Sequence, residues 1–349
     1  MTRPLISVVI PAHNSLDLLC ACLRCLTAQT CPAGDFEVIV ADDCSTDGTA
    51  EGVERLAPGF AFQVSVVRRS SNGGPGAARN SGIQAARGQI IALLDADTEP
   101  EPDWLRAGMA ALEGHDIAEG YTAIGSPELI TPFTHQTQNT GPGGFPTCNM
   151  FFRREVFDEI GLFDTRFYDP RTRIHFREDS ELMLRAIERG LSIAWAPEAR
   201  VIHRPLAPSW RRPLQLAKRY RHDRLLRQLH PATFDEWIDR RRVGAFRVPR
   251  LRQKLYWTYL AGIAASAAAA LGGWPVWPFG AWTALGLAGI WWLHVRMLGR
   301  RAFTSPASLV AVPVCAAVPF VYLFSVISGV RLHPARDARP QSSRAEETP

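Results

Sequence analysis

Residues 6–11, ISVVIP, are a run of β-branched positions closed by a proline, the pattern of a buried strand. Asn14 or Ser15 then caps a segment in which Leu18, Leu19, Cys22 and Leu26 recur at helical spacing. The alternation repeats along the chain. FEVIVAD (36–42) predicts a second strand and STDGTAEGVERL a capped helix. VSVVRR (64–69) predicts a third strand, GGPGAARNSGIQAA a glycine-led helix, and QIIALLDAD (89–97) a fourth strand. Strands alternating with helices predict an α/β fold, a mostly parallel sheet flanked by helices. In such sheets ligands sit at the carboxyl ends of the strands.

The far end reads differently. No Asp, Glu, Lys or Arg occurs between Tyr256 and Val295. Pro275 and Pro278 split this stretch into two apolar halves, and Trp274, Trp277 and Trp282 suit a membrane–water interface. A third apolar run covers Pro306–Val330, with Pro313 and Pro319 inside it, so it either spans or breaks into a re-entrant segment. The pattern predicts a catalytic-type domain over residues 1–204 and a transmembrane region of two to three helices over 255–330. A polar, disordered tail would follow over 331–349.

Charge sharpens this division. Among the 349 residues, residues 1–202 hold 17 arginines against 27 acids, a net of −10. Residues 203–254 hold 15 basic residues against 4 acids, a net of +11. An acidic body behind a basic collar argues against nucleic acid as a partner. Within the collar (205–254), Trp210, Leu214, Ala217, Tyr220 and Leu225 form a helical stripe with arginines between them. That pattern predicts an amphipathic helix on an anionic membrane surface. Arginines flank the first two apolar runs, and residues 1–20 show no basic-then-apolar leader. The expectation is a multi-pass protein of the cytoplasmic membrane with its N-terminal domain facing the cytoplasm. The seven cysteines include Cys20, Cys22 and Cys25 on different sides of one predicted helix, which fits packing better than zinc.

Candidate chemistry lies where the strands end. Asp42 and Asp43 end the second strand, and a carboxylate there accepts from a base N–H or a ribose hydroxyl. Asp95 and Asp97, two residues apart after the fourth strand, can share a hard divalent cation, Mg²⁺ or Mn²⁺, that also binds diphosphate oxygens. Asn72–Asn80 (NGGPGAARN) opens a helix whose start favours anions, yet it matches neither a Walker loop nor a dinucleotide fingerprint. Within it, Arg79 either binds phosphate or pairs with a strand-end aspartate. Gly143–Asn149 reads as a flexible small-residue loop. Glu178 and Asp179 start the amphipathic segment SELMLRAIERG, either as helix-dipole partners or as a general base.

Taken together, SVVIPAHN, EVIVADDCSTDGT, NGGPGAARNSGI, ALLDADTEPEPDWL, GFPTCNMFFRREVFDEIGLFDTRF and REDSELMLRAIERG resemble the family 2 glycosyltransferases of the GT-A fold. The resemblance covers roughly residues 5–204. It implies a Rossmann-like GT-A sheet and inverting transfer from a nucleotide-sugar donor, UDP-linked, to a lipid-linked or envelope glycan acceptor. By the same resemblance Asp43 is similar to the nucleotide-binding aspartate, Asp95 and Asp97 to the metal-binding DxD, and Asp179 to the catalytic base. Pro11, Ala12 and His13 would line the nucleotide pocket, and His203 would meet the metal or the acceptor or serve structure. Gln215–Tyr220 departs from the Gln-x-x-Arg-Trp of the processive members. Two other readings stay open: transfer to a polyprenyl phosphate, and a non-catalytic membrane scaffold.

Overall fold

A computed structural model describes residues 4–329 apart from 135–136, 244–245, 250, 297, 299–302 and 304. The predicted alternation forms as β1 (Ile6–Ala12), α1 (Leu16–Leu26), β2 (Phe36–Asp42), α2 (Thr49–Leu56), β3 (Gln63–Arg68), α3 (Gly74–Ala85) and β4 (Ile90–Leu94). The chain continues through β5 (Thr98–Pro100), α4 (Trp104–Ala111), β6 (Ile117–Ile124), β7 (Asn149–Arg153), α5 (Arg154–Ile160), β8 (Tyr168–Asp169), β9 (Ile174–His175), α6 (Glu178–Glu188) and β10 (Ile193–His203). Two short helices follow, α7 (Arg212–Lys218) and α8 (Asp223–Leu229), then the turn α9 (Pro231–Thr233) and the hairpin β11 (Arg240–Val243)–β12 (Phe246–Pro249). Three long helices close the described chain: α10 (Leu251–Leu271), α11 (Trp277–Val295) and α12 (Pro306–Ile327).

Eight strands form one sheet in the order β3-β2-β1-β4-β7-β6-β10-β5. The four predicted strands pair in parallel as β3-β2-β1-β4, but β7 runs antiparallel to both of its neighbours and β5 antiparallel to β10. The sheet is therefore mixed in its second half. Strand alternation builds a core on each face. Ile6, Val8, Ile10, Val38 and Val40 meet Leu19 and Leu23 of α1 on one side. Val9, Ile39, Ile91 and Leu93 meet Ile83 of α3 and Leu182 and Met183 of α6 on the other. Each such side chain contributes about 1.5–3 kcal/mol on burial.

Register positions the site. Ala12 pairs with Asp42, so the chain ends beyond β1 and β2 place His13 beside Asp43. Thr98 pairs with His203 across β5 and β10, which carries Asp97 to His203.

The C-terminal region differs from expectation in two ways. All three apolar helices form, and α12 runs unbroken past Pro313 and Pro319. Among the described residues, however, one helix, α12, is long and apolar enough to cross a membrane. Arg252, Gln253, Lys254 and the Tyr256–Tyr259 segment lower the hydropathy of α10, and four tryptophans, glycines and His294 lower that of α11, so the multi-pass count of two to three reduces to one. Most of the predicted collar stripe is also covered by protein, while Trp210 stays exposed. Leu214, Ala217 and Tyr220 pack with Tyr256 and Tyr322 of α10 and α12, while Leu225 packs with Phe167 and Leu184 of the sheet domain. Arg177–Asp223 and Arg221–Asp169 ion pairs tie the segment down further. Residues 331–349, expected to be disordered, lie outside the described residues.

Candidate active site

Asp43 is 2% exposed and is the best-coordinated carboxylate at the strand tips. It accepts from the Gly73 and Gly74 N–H groups at 3.0 and 2.7 Å and from Arg69 Nε at 2.8 Å. The anion attracted by the start of α3 is thus a side chain of the protein itself. His13 Nδ1–H donates to the Asp43 carbonyl at 3.0 Å, and Asn72 donates to the same oxygen at 3.2 Å. Gly74 has φ +80°, and a Cβ there would lie 2.5 Å from the Tyr168 ring, so only glycine fits. Tyr168, from the β8–β9 hairpin, donates its hydroxyl to Asn72.

Arg79 is buried on α3 and meets Asp95 Oδ1 at 2.5 Å. Of its two sequence readings, pairing with a strand-end aspartate is the one formed. Burial pulls the Arg79 pKa down, but the charges of Asp95 and Glu178 outweigh it and hold the guanidinium firmly charged. Asp97 Oδ1 lies 3.6 Å from His203 Nε2, while His203 Nδ1–H donates to the Arg204 carbonyl at 2.9 Å. Burial raises the Asp97 carboxyl; His203 opposes this and the Asp95 charge adds to it. Two half-buried carboxylates two residues apart on one cavity wall suit a cation. Among the described residues no three His, Cys, Asp or Glu side chains cluster as a complete cage. A divalent ion at Asp95 and Asp97 would therefore keep positions open for a diphosphate, the donor set that Mg²⁺ prefers.

Arg177 precedes α6 with a left-handed φ of 79°. Its guanidinium pairs with Asp223 at 2.7 Å and stacks 4.3 Å over the Phe176 ring, which holds the backbone in this costly conformation. The helix start that follows carries Glu178 and Asp179 into the cleft. His175 Nδ1–H donates to Glu178 Oε1 at 2.9 Å. Burial favours a protonated Glu178, but His175 and Arg79 outweigh it and pull its pKa down to about 2. Beside that fixed charge Asp179 moves the other way: burial first, then the Glu178 charge, raise its carboxyl. One carboxylate is locked ionised and its neighbour is made more basic, the division that acid–base chemistry uses.

All of these groups line one cavity of about 590 Å³: Pro11, Ala12, His13, Asp43, Arg79, Asp95, Asp97, Asp179 and His203. Tyr168, Arg173, His175, Arg212 and Arg219 line it too and escaped the sequence reading. The Asp-Pro-Arg-Thr turn between β8 and β9 was the available signal for the first three. The collar arginines gave none, because a basic stripe reads as a membrane face. The loop Gly143–Phe145, expected to be flexible, is pinned: Gly143, Gly144 and Phe145 N–H groups all donate to buried Glu119.

The eight-stranded mixed sheet with acidic strand tips on one cleft is the GT-A architecture. The sequence matches the model of glycosyl transferase family 2 over residues 7–161 and that of glycosyl transferase family group 2 over residues 90–332. The chain belongs to the family 2 glycosyltransferases. Glycosyltransferase AglE of Haloferax volcanii is 28% identical over 206 residues, 56% of this chain and 65% of AglE. Poly(ribitol-phosphate) beta-N-acetylglucosaminyltransferase TarS of Staphylococcus aureus is 35% identical over 109 residues, 31% of this chain and 19% of TarS. The matched parts thus cover less than two thirds of either relative. The mannosyltransferase PcManGT of Pyrobaculum calidifontis, solved with GDP-Man and Mn²⁺, superposes with a TM-score of 0.62 at 20% identity. That match covers 93% of this chain and 88% of PcManGT, and at this identity it shows the fold.

Proposed function

We propose that this chain is a membrane-associated, inverting glycosyltransferase. It moves a sugar from a nucleoside-diphosphate donor, UDP-linked, to a hydroxyl of a lipid-linked or envelope glycan acceptor. The observation that carries this reading is the convergence of Asp43, Asp95, Asp97 and Asp179 on one cavity. PcManGT binds GDP-Man and Mn²⁺, and TarS is named for a β-linked product; both support the reading by likeness.

The residues divide the work. Pro11, Ala12 and His13 wall the nucleotide end, and Asp43 holds that end in shape through Gly73, Gly74 and Arg69. Asp95 and Asp97 would hold Mg²⁺ or Mn²⁺, which when bound would supply positive charge to a departing diphosphate. Arg79 keeps Asp95 oriented. Asp179 accepts the proton of the acceptor hydroxyl as its oxygen bonds to the anomeric carbon. The bond from that carbon to the diphosphate oxygen breaks, and the electron pair leaves with the nucleoside diphosphate. A single in-line displacement turns an α-linked donor into a β-linked product. Helix α12 anchors the catalytic domain on the cytoplasmic side of the membrane. Residues 1–204 form the catalytic unit, 205–254 the basic connection to the membrane region at 255–330.

Nucleotide sugars screened against the detergent-purified chain test this reading. Metal-dependent release of nucleoside diphosphate is the expected result, and no release from any donor under any divalent ion would refute it.

A further inference from the structure

Helix α6 carries Glu178 and Asp179 into the cleft, and α8 is fastened to it at both ends. At one end Asp223 pairs with Arg177, the residue that precedes α6, at 2.7 Å. At the other end His230 follows the last residue of α8 and meets two carboxylates of α6. Between these ends Leu184 of α6 packs in one apolar cluster with Leu225, Leu226 and Phe234. The stretch that the sequence presents as a connection to the apolar helices is thus a splint along the helix of the proposed base.

The contacts at His230 impose a protonation state. The residue is 5% exposed. Its Nδ1 lies 2.9 Å from both carboxylate oxygens of Glu188, and its Nε2 lies 3.5 Å from Glu181 Oε1. A neutral imidazole carries one N–H and would turn a lone pair toward one of these carboxylates, whereas the imidazolium offers a proton to each. The neighbouring charges are engaged elsewhere: Arg185 of α6 pairs with Glu181 at 2.8 Å, and Arg227 of α8 pairs with Asp235 at 2.6 Å. Thr233 of α9 donates its hydroxyl to Glu188 at 2.6 Å. Burial lowers the His230 pKa, but Glu181 and Glu188 outweigh it and raise it above the ordinary imidazole value. Loss of the proton would leave two carboxylates against one guanidinium in a largely buried place, which is costly.

We propose that His230 is a positioning residue for the transfer reaction: as an imidazolium held by Glu181 and Glu188 it keeps α6, and with it Asp179, in place, and transfer is lost when the proton leaves. This inference rests on the assignment of Asp179 as the base and adds the device that holds its helix. The clamp is fully formed below the ordinary imidazole pKa and is lost as pH rises through the raised one. Transfer therefore has an alkaline limb, separate from the acid limb that Asp179 itself sets.

Two variants of the full chain in detergent test the proposal. Glu188 is partly exposed, and a glutamine there still accepts from His230 and Thr233, so Glu188→Gln should fold. It removes one of the charges that raise His230, so the alkaline limb of kcat should move down by about one pH unit. His230→Gln holds no charge at any pH. It should lack this limb and run about ten- to hundredfold below the wild-type optimum, the cost of a misplaced base. Affinity for UDP with Mn²⁺ should stay at the wild-type value in both variants, because the nucleotide end of the cavity is built by other elements. Unfolding midpoints without substrate give a second readout. The wild-type midpoint should fall as pH rises from about 6 to about 9, the fall should begin at lower pH in Glu188→Gln, and His230→Gln should lose this component. The proposal is overturned if the alkaline limb stays at one pH in all three proteins. It is equally overturned if the midpoints of wild type and His230→Gln depend on pH alike. Shifted midpoints with no turnover of any nucleotide sugar would keep the clamp and remove the proposed function; turnover with an unmoved limb would do the reverse.

Discussion

His203 Nε2 stands 3.6 Å from Asp97 Oδ1, and the sheet rather than the pair itself sets that distance. Thr98 and His203 are register partners of β5 and β10, and Arg204 N–H donates to the Asp97 carbonyl at 3.0 Å. Antiparallel pairing of β10 with the edge strand β5 thus brings an imidazole from far along the chain to Asp97.

Asp97→Ala should abolish metal binding at this place and most of the transfer, because the departing diphosphate would lose its compensating charge. Removing one preorganised electrostatic group at a developing charge costs about 10²–10³-fold in rate. Mn²⁺ titration and turnover of the same variant check this. Turnover that survives both EDTA and the substitution would show that transfer needs no metal.

Glu119→Ala should destabilise the chain by about 2–3 kcal/mol, since Gly143, Gly144 and Phe145 N–H groups and Asn139 lose one shared acceptor. Glu119→Gln should cost less, keeping a carbonyl oxygen for Gly144, Phe145 and Asn139 and losing only the acceptor of Gly143. Denaturant midpoints of the two variants give the comparison. Equal stability of wild type and Glu119→Ala would mean that the loop at 143–145 is not held through this carboxylate.

Much of the site was legible because its residues sit at strand tips. Asp43, Asp95 and Asp97 follow short apolar runs that have one plausible structure, and Asp179 opens a helix with clear periodicity. What stayed hidden depends on long-range pairing. Nothing in NMFFR reveals that β7 inserts antiparallel between β4 and β6. Nothing near Gly143 reveals that Glu119, in another strand, binds its backbone. The collar stripe was ambiguous for a related reason: helical spacing gave it, but a lipid surface and a protein surface select the same pattern. Local signals likewise overstated the membrane region, where length and the absence of charge over 256–295 made α10 and α11 resemble spans.

The rate of transfer should rise with pH through a carboxyl group that titrates above the ordinary aspartate range. Burial and the Glu178 charge raise the Asp179 pKa, and the protonated form cannot accept the hydroxyl proton. Activity is therefore lost as pH falls through that raised value and is retained above it. His175→Ala should shift the limb, because Glu178 would lose the partner that keeps it ionised. A less ionised Glu178 repels the Asp179 charge less, so the limb should move to lower pH. Initial rates across the acid range at saturating donor measure it; a limb that stays in place would uncouple Glu178 from Asp179.

Asp179→Asn, measured for single-turnover transfer and for nucleotide affinity on the same preparation, tests the account most directly. Asparagine keeps the size of the side chain but cannot take a proton at neutral pH. General-base assistance is worth about 10²–10⁴-fold, so transfer should fall by that factor. Nucleotide affinity should stay at the wild-type value, because His13, Asp43 and the Asp95–Asp97 pair form the other end of the cavity. Near-wild-type transfer by this variant, with nucleotide binding intact, would contradict the account.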